Sequence, residues 1–138
     1  MTLTFQDAFN RVFTHLDEQG KRAVNEKNYC THLAPDGSKC ALGALIPDGH
    51  PAQDLYSGWD VHDVAGKYSD LAGIAWPKGS ISSQMGFPKE ISGLSFMSKL
   101  QSFHDSASTP EAWKFMMNEK LPKFAETFGL TVPERIKK

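Results

Sequence analysis

The residues of this chain with the widest chemical range are two cysteines and five histidines. Their densest grouping is the stretch Tyr29 to Asp48, Y-C-T-H-L-A-P-D-G-S-K-C-A-L-G-A-L-I-P-D, which holds Cys30, His32 and Cys40, with His50 just beyond. Two thiolates, an imidazole and one further donor, His50 or Asp48, suit tetrahedral zinc, whose structural sites are closed by four such ligands. The spacing C-x-H-x7-C-x9-H is not that of a standard finger. The competing reading, and the preferred one, makes both cysteines small buried hydrophobes. A disulfide is a third option. Reduced thiols are the rule inside cells, and two cysteines in 138 residues do not make a secreted disulfide framework.

Two other constellations invite chemistry. A thiol enzyme would use Cys40 as nucleophile, His104 as base and Asp105 to orient it. Neighbouring residues on a helix project in different directions, which argues against Asp105 orienting His104. His62-Asp63 and His104-Asp105 also resemble the helical His-Asp pairs of metal phosphohydrolases. That chemistry needs an upstream His and a downstream Asp in the same cavity, and no Asp follows Asp105. His104 then reads as a core-edge histidine near a helix C-terminus.

The elements that must position these groups are mostly helical. Thr4 as N-cap and Asp7 in the first turn open a helix over 4–19, with Phe5, Phe9, Val12, Phe13 and Leu16 on one stripe and Gly20 as the stop. His15 lies off that stripe and reads as solvated. Ala34-Pro35-Asp36-Gly37 fits a tight turn with a left-handed glycine, and so predicts a β-hairpin near residues 29–42. Pairing Ala34 with Ser38 sets His32 opposite Cys40 and Cys30 diagonal to it on the same face. Diagonal neighbours sit too far apart for a relaxed disulfide, which needs roughly 3.5–4.5 Å between Cβ atoms. The small residues of Ala41–Ala44 suggest tight backbone packing, and Pro51 opens a short helix over 51–57. A weaker helix is expected over 59–73 and a better one over 93–105. Thr109-Pro110-Glu111 announces the last, which Pro122 should kink near 118–121. Residues 74–88 are rich in Gly, Ser and Pro and read as a long loop. If exposed there, Trp76 would be a partner hot spot.

The totals narrow the function classes. A chain of 138 residues with 40% apolar content and nine phenylalanines can bury a core of its own. The net charge of −1 and the sparse arginines (Arg11, Arg22, Arg135) argue against a phosphate track on nucleic acid. Charge is nonetheless uneven. Residues 29–76 hold six Asp against Lys39 and Lys67, whereas 77–138 hold nine Lys or Arg against six acids. The acidic segment at 36–70, Asp60 and Asp63 included, would suit a basic partner or mimic nucleic acid. From the polar opening residues no leader is expected, and no apolar run approaches the ~20 residues of a membrane span. A cytoplasmic location is expected.

The arrangement C-x9-C-A-L-G-A-L-I-P-D, then Leu100-Gln101-Ser102-Phe103-His104-Asp105, then Trp113 and Phe128-Gly129-Leu130, resembles a family of small uncharacterised phage and bacterial proteins. Their pattern reads C-x-Y-R-x-x-D-G-x-K-C-A-V-G-x-L-I-P-D near the start and L-Q-x-x-H-D later. The likeness spans nearly the whole chain. It implies a phage or mobile-element setting in the host cytoplasm and no particular activity. The chain departs from the pattern at Thr31-His32-Leu33, where a Tyr-Arg pair is usual, so His32 lies outside the shared motif.

These readings converge on a mainly α (α+β) fold: one globular domain over 1–130, a helical bundle with a small hairpin at 29–42, and a flexible tail over 131–138. The expected function is binding of a host or phage protein, with inhibition of a bacterial defence or host machine as one form. Trp76, Asp60 and Asp63 would make the contact and no cofactor would be needed. The alternative is a zinc-bound module held by Cys30, His32, Cys40 and His50, or a thiol enzyme centred on Cys40.

Overall fold

The N-terminal helix forms where its caps and stripe require. In the computed structural model, which describes residues 3–24, 32–54, 61–84 and 90–135, α1 runs Phe5–Gln19. The Thr4 hydroxyl accepts from the Asp7 N–H and the Asp7 carboxylate accepts from the Thr4 N–H, a complete capping box. Gly20 closes the helix in the left-handed region at φ 73°. Ala8, Phe9, Val12, Phe13 and Leu16 are buried, each large side chain contributing roughly 1.5–3 kcal/mol on burial.

Helix α2 spans Val61–Lys67 and is followed by a 3-10 turn, Ser69–Leu71, so the expected weak helix over 59–73 is cut short within the described residues. Helix α3 runs Gly93–Ser106, capped by the Ser92 hydroxyl, and α4 runs Pro110–Phe115, capped by the Thr109 hydroxyl. The kink expected from Pro122 takes another form. Met116–Lys120 widens into a π-turn, in which the Leu121 N–H reaches back to the Met116 carbonyl, and α5 continues as Leu121–Thr127. Widening by one residue per turn is a known way for a helix to absorb a local misfit without breaking.

The strands lie elsewhere than expected. Ser80–Ser82 (β1), inside the stretch 74–88 read as loop, and Glu90–Ser92 (β2), just beyond it, pair antiparallel with Ile81 opposite Ile91. The hairpin at 29–42 is reduced, among its described residues, to one antiparallel bridge between Leu33 and Lys39 around the Pro-Asp-Gly turn. Its register is nevertheless the expected one, because Ala34 N–H donates to the Ser38 carbonyl (2.8 Å) and Gly37 sits at φ 89°. The Asp36 carboxylate ties the turn by accepting from Lys21 and from the Ser38 hydroxyl and N–H, contacts that hold it well below the usual carboxylate range. Pro51 starts only a 3-10 turn, Pro51–Asp54, and residues 55–57 fall outside the described set.

Phenylalanines from α1, α3 and the C-terminal helix meet at one end of the core. Phe96 packs its ring 5.1 Å from both Phe5 and Phe124, and Phe124 lies 5.1 Å from Phe128. The tail expected to fray is tied down through residue 135. The Thr131 N–H donates to Gln6 Oε1 and its carbonyl accepts from Gln6 Nε2, and Arg135 pairs with the buried Asp17 (2.8 Å) and with Asn118. Arg135→Ala is therefore expected to lower stability by about 2 kcal/mol in urea denaturation. That is less than the roughly 3–5 kcal/mol of a fully buried pair, because Arg135 is half exposed and Asp17 has a further partner. No helix among the described residues is long and apolar enough to cross a membrane.

Candidate functional site

The segment 38–46 has almost no regular secondary structure, yet it is buried at Ser38, Cys40, Ala41, Leu42, Leu45 and Ile46. Buried irregular backbone must find acceptors for its N–H groups somewhere. Part of the answer is local. Ala44 N–H reaches the Cys40 carbonyl (3.0 Å) and Ile46 N–H the Leu42 carbonyl (3.2 Å), a single helical turn that does not continue. The remainder comes from side chains on the flanking helices.

From α1, Gln19 grips Lys39 twice: its Oε1 accepts the Lys39 N–H (2.7 Å) and its Nε2 donates to the Lys39 carbonyl (2.9 Å). His15 Nε2–H donates to the same carbonyl (3.0 Å), so His15 is half-buried and engaged rather than solvated. From α3, Gln101 Oε1 accepts the Leu42 N–H (3.0 Å). Gln101 Nε2 then donates to Asp105 Oδ1 (2.8 Å), and His104 Nδ1 lies 2.8 Å from the same oxygen. His104 is completely buried, and its Nε2 accepts the Ala23 N–H (3.0 Å). Accepting at Nε2 fixes the neutral ring as the Nδ1–H tautomer, which donates to Asp105. Asp105 therefore does orient His104, against the expectation from helix geometry. The carboxylate sits in the last turn of α3 and swings over the edge of the neighbouring ring. Arg22 Nη1 completes the junction by donating to the Asp105 carbonyl (3.1 Å).

Cys40 and His32 do come together. His32 Nδ1 lies 3.0 Å from Cys40 Sγ, and the sulfur also accepts the Gly43 N–H (3.2 Å). Both residues are buried. Burial pushes the Cys40 thiol up to about 12; the negative charge of Asp105 adds to this, and the Gly43 N–H opposes it. A thiol that keeps its proton is a poor nucleophile and a poor metal ligand. The imidazole beside it is His32, while both ring nitrogens of His104 are bonded to Ala23 and Asp105.

The pH consequence has a definite sign. The unfolded thiol titrates at the ordinary 9.0 and the folded one at about 12. The stability this group contributes is complete below the unfolded value and is lost as pH rises through the folded one. Thermal unfolding across that window is expected to show a falling Tm, and Cys40→Val to flatten the fall.

The other expected ligands are dispersed or outside the described residues. His50 accepts the Ala52 N–H at Nδ1 (3.0 Å) and so donates from Nε2 to Asp70 (2.9 Å), which leaves neither nitrogen open. Asp48 pairs with Lys39 (2.8 Å). Cys30 lies outside the described residues, among which no group of three His, Cys, Asp or Glu side chains is placed to hold a metal. Asp60 also lies outside them. Asp63 and His62 are exposed on α2. Trp76 is not exposed: the chain folds back so that Gly73 N–H reaches the Trp76 carbonyl (2.8 Å), and the indole is buried. Gln19, Gln101 and Asp17 are the working polar residues that the sequence reading missed. For Gln101 a signal was present, because it lies on the Met97–Leu100–His104 stripe, where a polar residue must find a buried partner.

Open grooves mark the surface of the described residues, and one of about 350 Å³ borders this junction at His15, Gln19 and Ser38. A second, of about 360 Å³, is lined by Val61, Ser98, Gln101, Ser102, Asp105 and Ser106. A third, of about 500 Å³, runs between the start of α1 and the turn at Gly73–Ile74. No family model, no curated protein and no solved structure matches this chain.

Proposed function

We propose that the chain is a binding protein of phage or mobile-element type that contacts a host or phage protein, inhibition of a bacterial defence or host machine being one concrete form. The observation that carries this reading is a division of labour. The Cys40, His104, Gln19 and Gln101 side chains are engaged by backbone, accepting from the Gly43, Ala23, Lys39 and Leu42 N–H groups. The surface, by contrast, exposes Ile74, Phe115 and Val132, of which Ile74 lines a groove. The acidic segment supports a basic partner less than its composition suggests, since Asp36, Asp48 and Asp70 are already paired with Lys21, Lys39 and His50.

Affinity capture from a bacterial lysate, followed by titration of the captured protein, tests the reading. A saturable partner is expected. Absence of one, alongside measurable turnover of nucleotides or thioesters, would overturn it. The second reading, a zinc-bound module, draws on the His32–Cys40 contact and on Cys30. Elemental analysis before and after Cys30→Ser tests it, with about one equivalent of zinc lost in the variant as the supporting result.

A further inference from the structure

The groove between α1 and the Gly73–Ile74 turn carries more than an apolar surface. Its walls are fixed by backbone bonds: Leu3 N–H to the Gly73 carbonyl (2.9 Å), Gly73 N–H to the Trp76 carbonyl (2.8 Å) and Ile74 N–H to the Leu71 carbonyl (2.9 Å). Ile74 is thus held 45% exposed by a rigid turn, beside the nearly buried Leu3. A preformed apolar wall of this kind costs little ordering on binding. The polar rim comes from one face of α1. There the Asp7 carboxylate serves the Thr4 N–H, and Asn10 Oδ1 accepts from Gln6 Nε2 (2.7 Å). Arg11 lines the same groove, is exposed, and has no hydrogen-bond or ion-pair partner among the described residues. The charged side chain at the rim without a partner among the described residues is therefore a guanidinium, in the same groove as an uncovered aliphatic side chain.

We propose, resting on the binding reading above, that this groove receives a segment of the partner protein presenting an aliphatic side chain and a nearby carboxylate. The aliphatic group covers Ile74 and Leu3, and the carboxylate takes Arg11 in a two-pronged contact. Guanidinium forks suit carboxylates geometrically, and their hydrogen bonds strengthen where an apolar wall excludes water. A volume of about 500 Å³ accommodates such a side chain pair.

The test is fluorescence anisotropy on the full chain with labelled peptides carrying one Leu and one Glu at varied spacing, and a matched set with Lys in place of Glu. Members of the Glu set are expected to bind saturably and about tenfold or more tighter than their Lys counterparts. Arg11→Glu is expected to reverse that preference, Ile74→Asp to abolish binding of both sets, and Phe115→Asp to change neither. Both key positions are exposed, so folding is retained, and circular dichroism checks it. Failure of every Glu peptide to bind overturns the proposal, as does a preference that survives Arg11→Glu. So does a labelled oligonucleotide that binds through Arg11 without Ile74, or self-association that Ile74→Asp abolishes. A partner captured from lysate whose binding survives both variants overturns the groove assignment while leaving the binding reading intact.

Discussion

Gly43→Ala is expected to lower stability by about 3 kcal/mol and Tm by on the order of 10 °C. A methyl group at position 43 would lie 2.0 Å from the His32 carbonyl oxygen and 2.9 Å from its carbon. Both partners are backbone, so no rotamer change relieves the contact. The segment bearing His32 would have to move away, and that motion loosens the Gly43 N–H bond to Cys40 and the Cys40–His32 contact together. Gly66→Ala is the matched control. Gly66 lies in α2 with nothing near its would-be Cβ, so alanine there should raise stability by about 0.5 kcal/mol through the usual helix preference. Urea denaturation of the two variants side by side separates a specific close approach from a general intolerance of alanine. An equal or opposite ranking would contradict the packing described at residue 43.

His104→Leu is expected to cost about 3 kcal/mol despite the similar bulk and the favourable burial of leucine. It strips the Ala23 N–H of its acceptor in a buried position, where an orphaned group costs about 1–3 kcal/mol, and it removes one of the donors to Asp105. Hydrogen exchange at the Ala23 amide should accelerate more than at the amides of α1, a local signature that a simple core defect would not give. Gln101→Leu should cost less on its own, because one orphan, the Leu42 N–H, is created. Gln101 and His104 share Asp105 Oδ1, so the double variant should fall short of the sum by about 1 kcal/mol. Additive costs would mean that the two residues act independently and would remove Asp105 as their link.

The helices were legible because their ends are written in single residues. Thr4 with Asp7, Gly20 and Thr109-Pro110 each act within one turn, and the apolar stripes between them have the helical period. The register at 34–38 was legible for a related reason: the Pro-Asp-Gly turn dictates it whatever the strands do. The strands β1 and β2 were not, since Ser80–Ser82 and Glu90–Ser92 carry one isoleucine each and three residues cannot display an alternation. Trp76 was misplaced because its burial depends on Gly73 folding back onto it and on Leu3, about seventy residues earlier, pairing with that turn. The polar junction escaped for the same reason. Which amide meets Gln19, Gln101 or His104 is decided by how α1 and α3 clasp the 38–46 segment, and a sequence records only that polar residues occupy a buried face. The segments Cys40–Asp48 and Leu100–Asp105 prove to be two sides of one contact, the Leu42 N–H on Gln101.

That junction is held to be structural, with Cys40 a neutral, buried thiol that supports backbone rather than attacks substrate. The most direct test is the ultraviolet absorbance of the thiolate in folded Cys30→Ser protein, followed as pH is raised. The expected result is no thiolate at neutral pH and its appearance only toward about 12 or on unfolding. Thiolate absorbance in the folded protein at neutral pH would contradict the account and return Cys40 to the list of candidate nucleophiles.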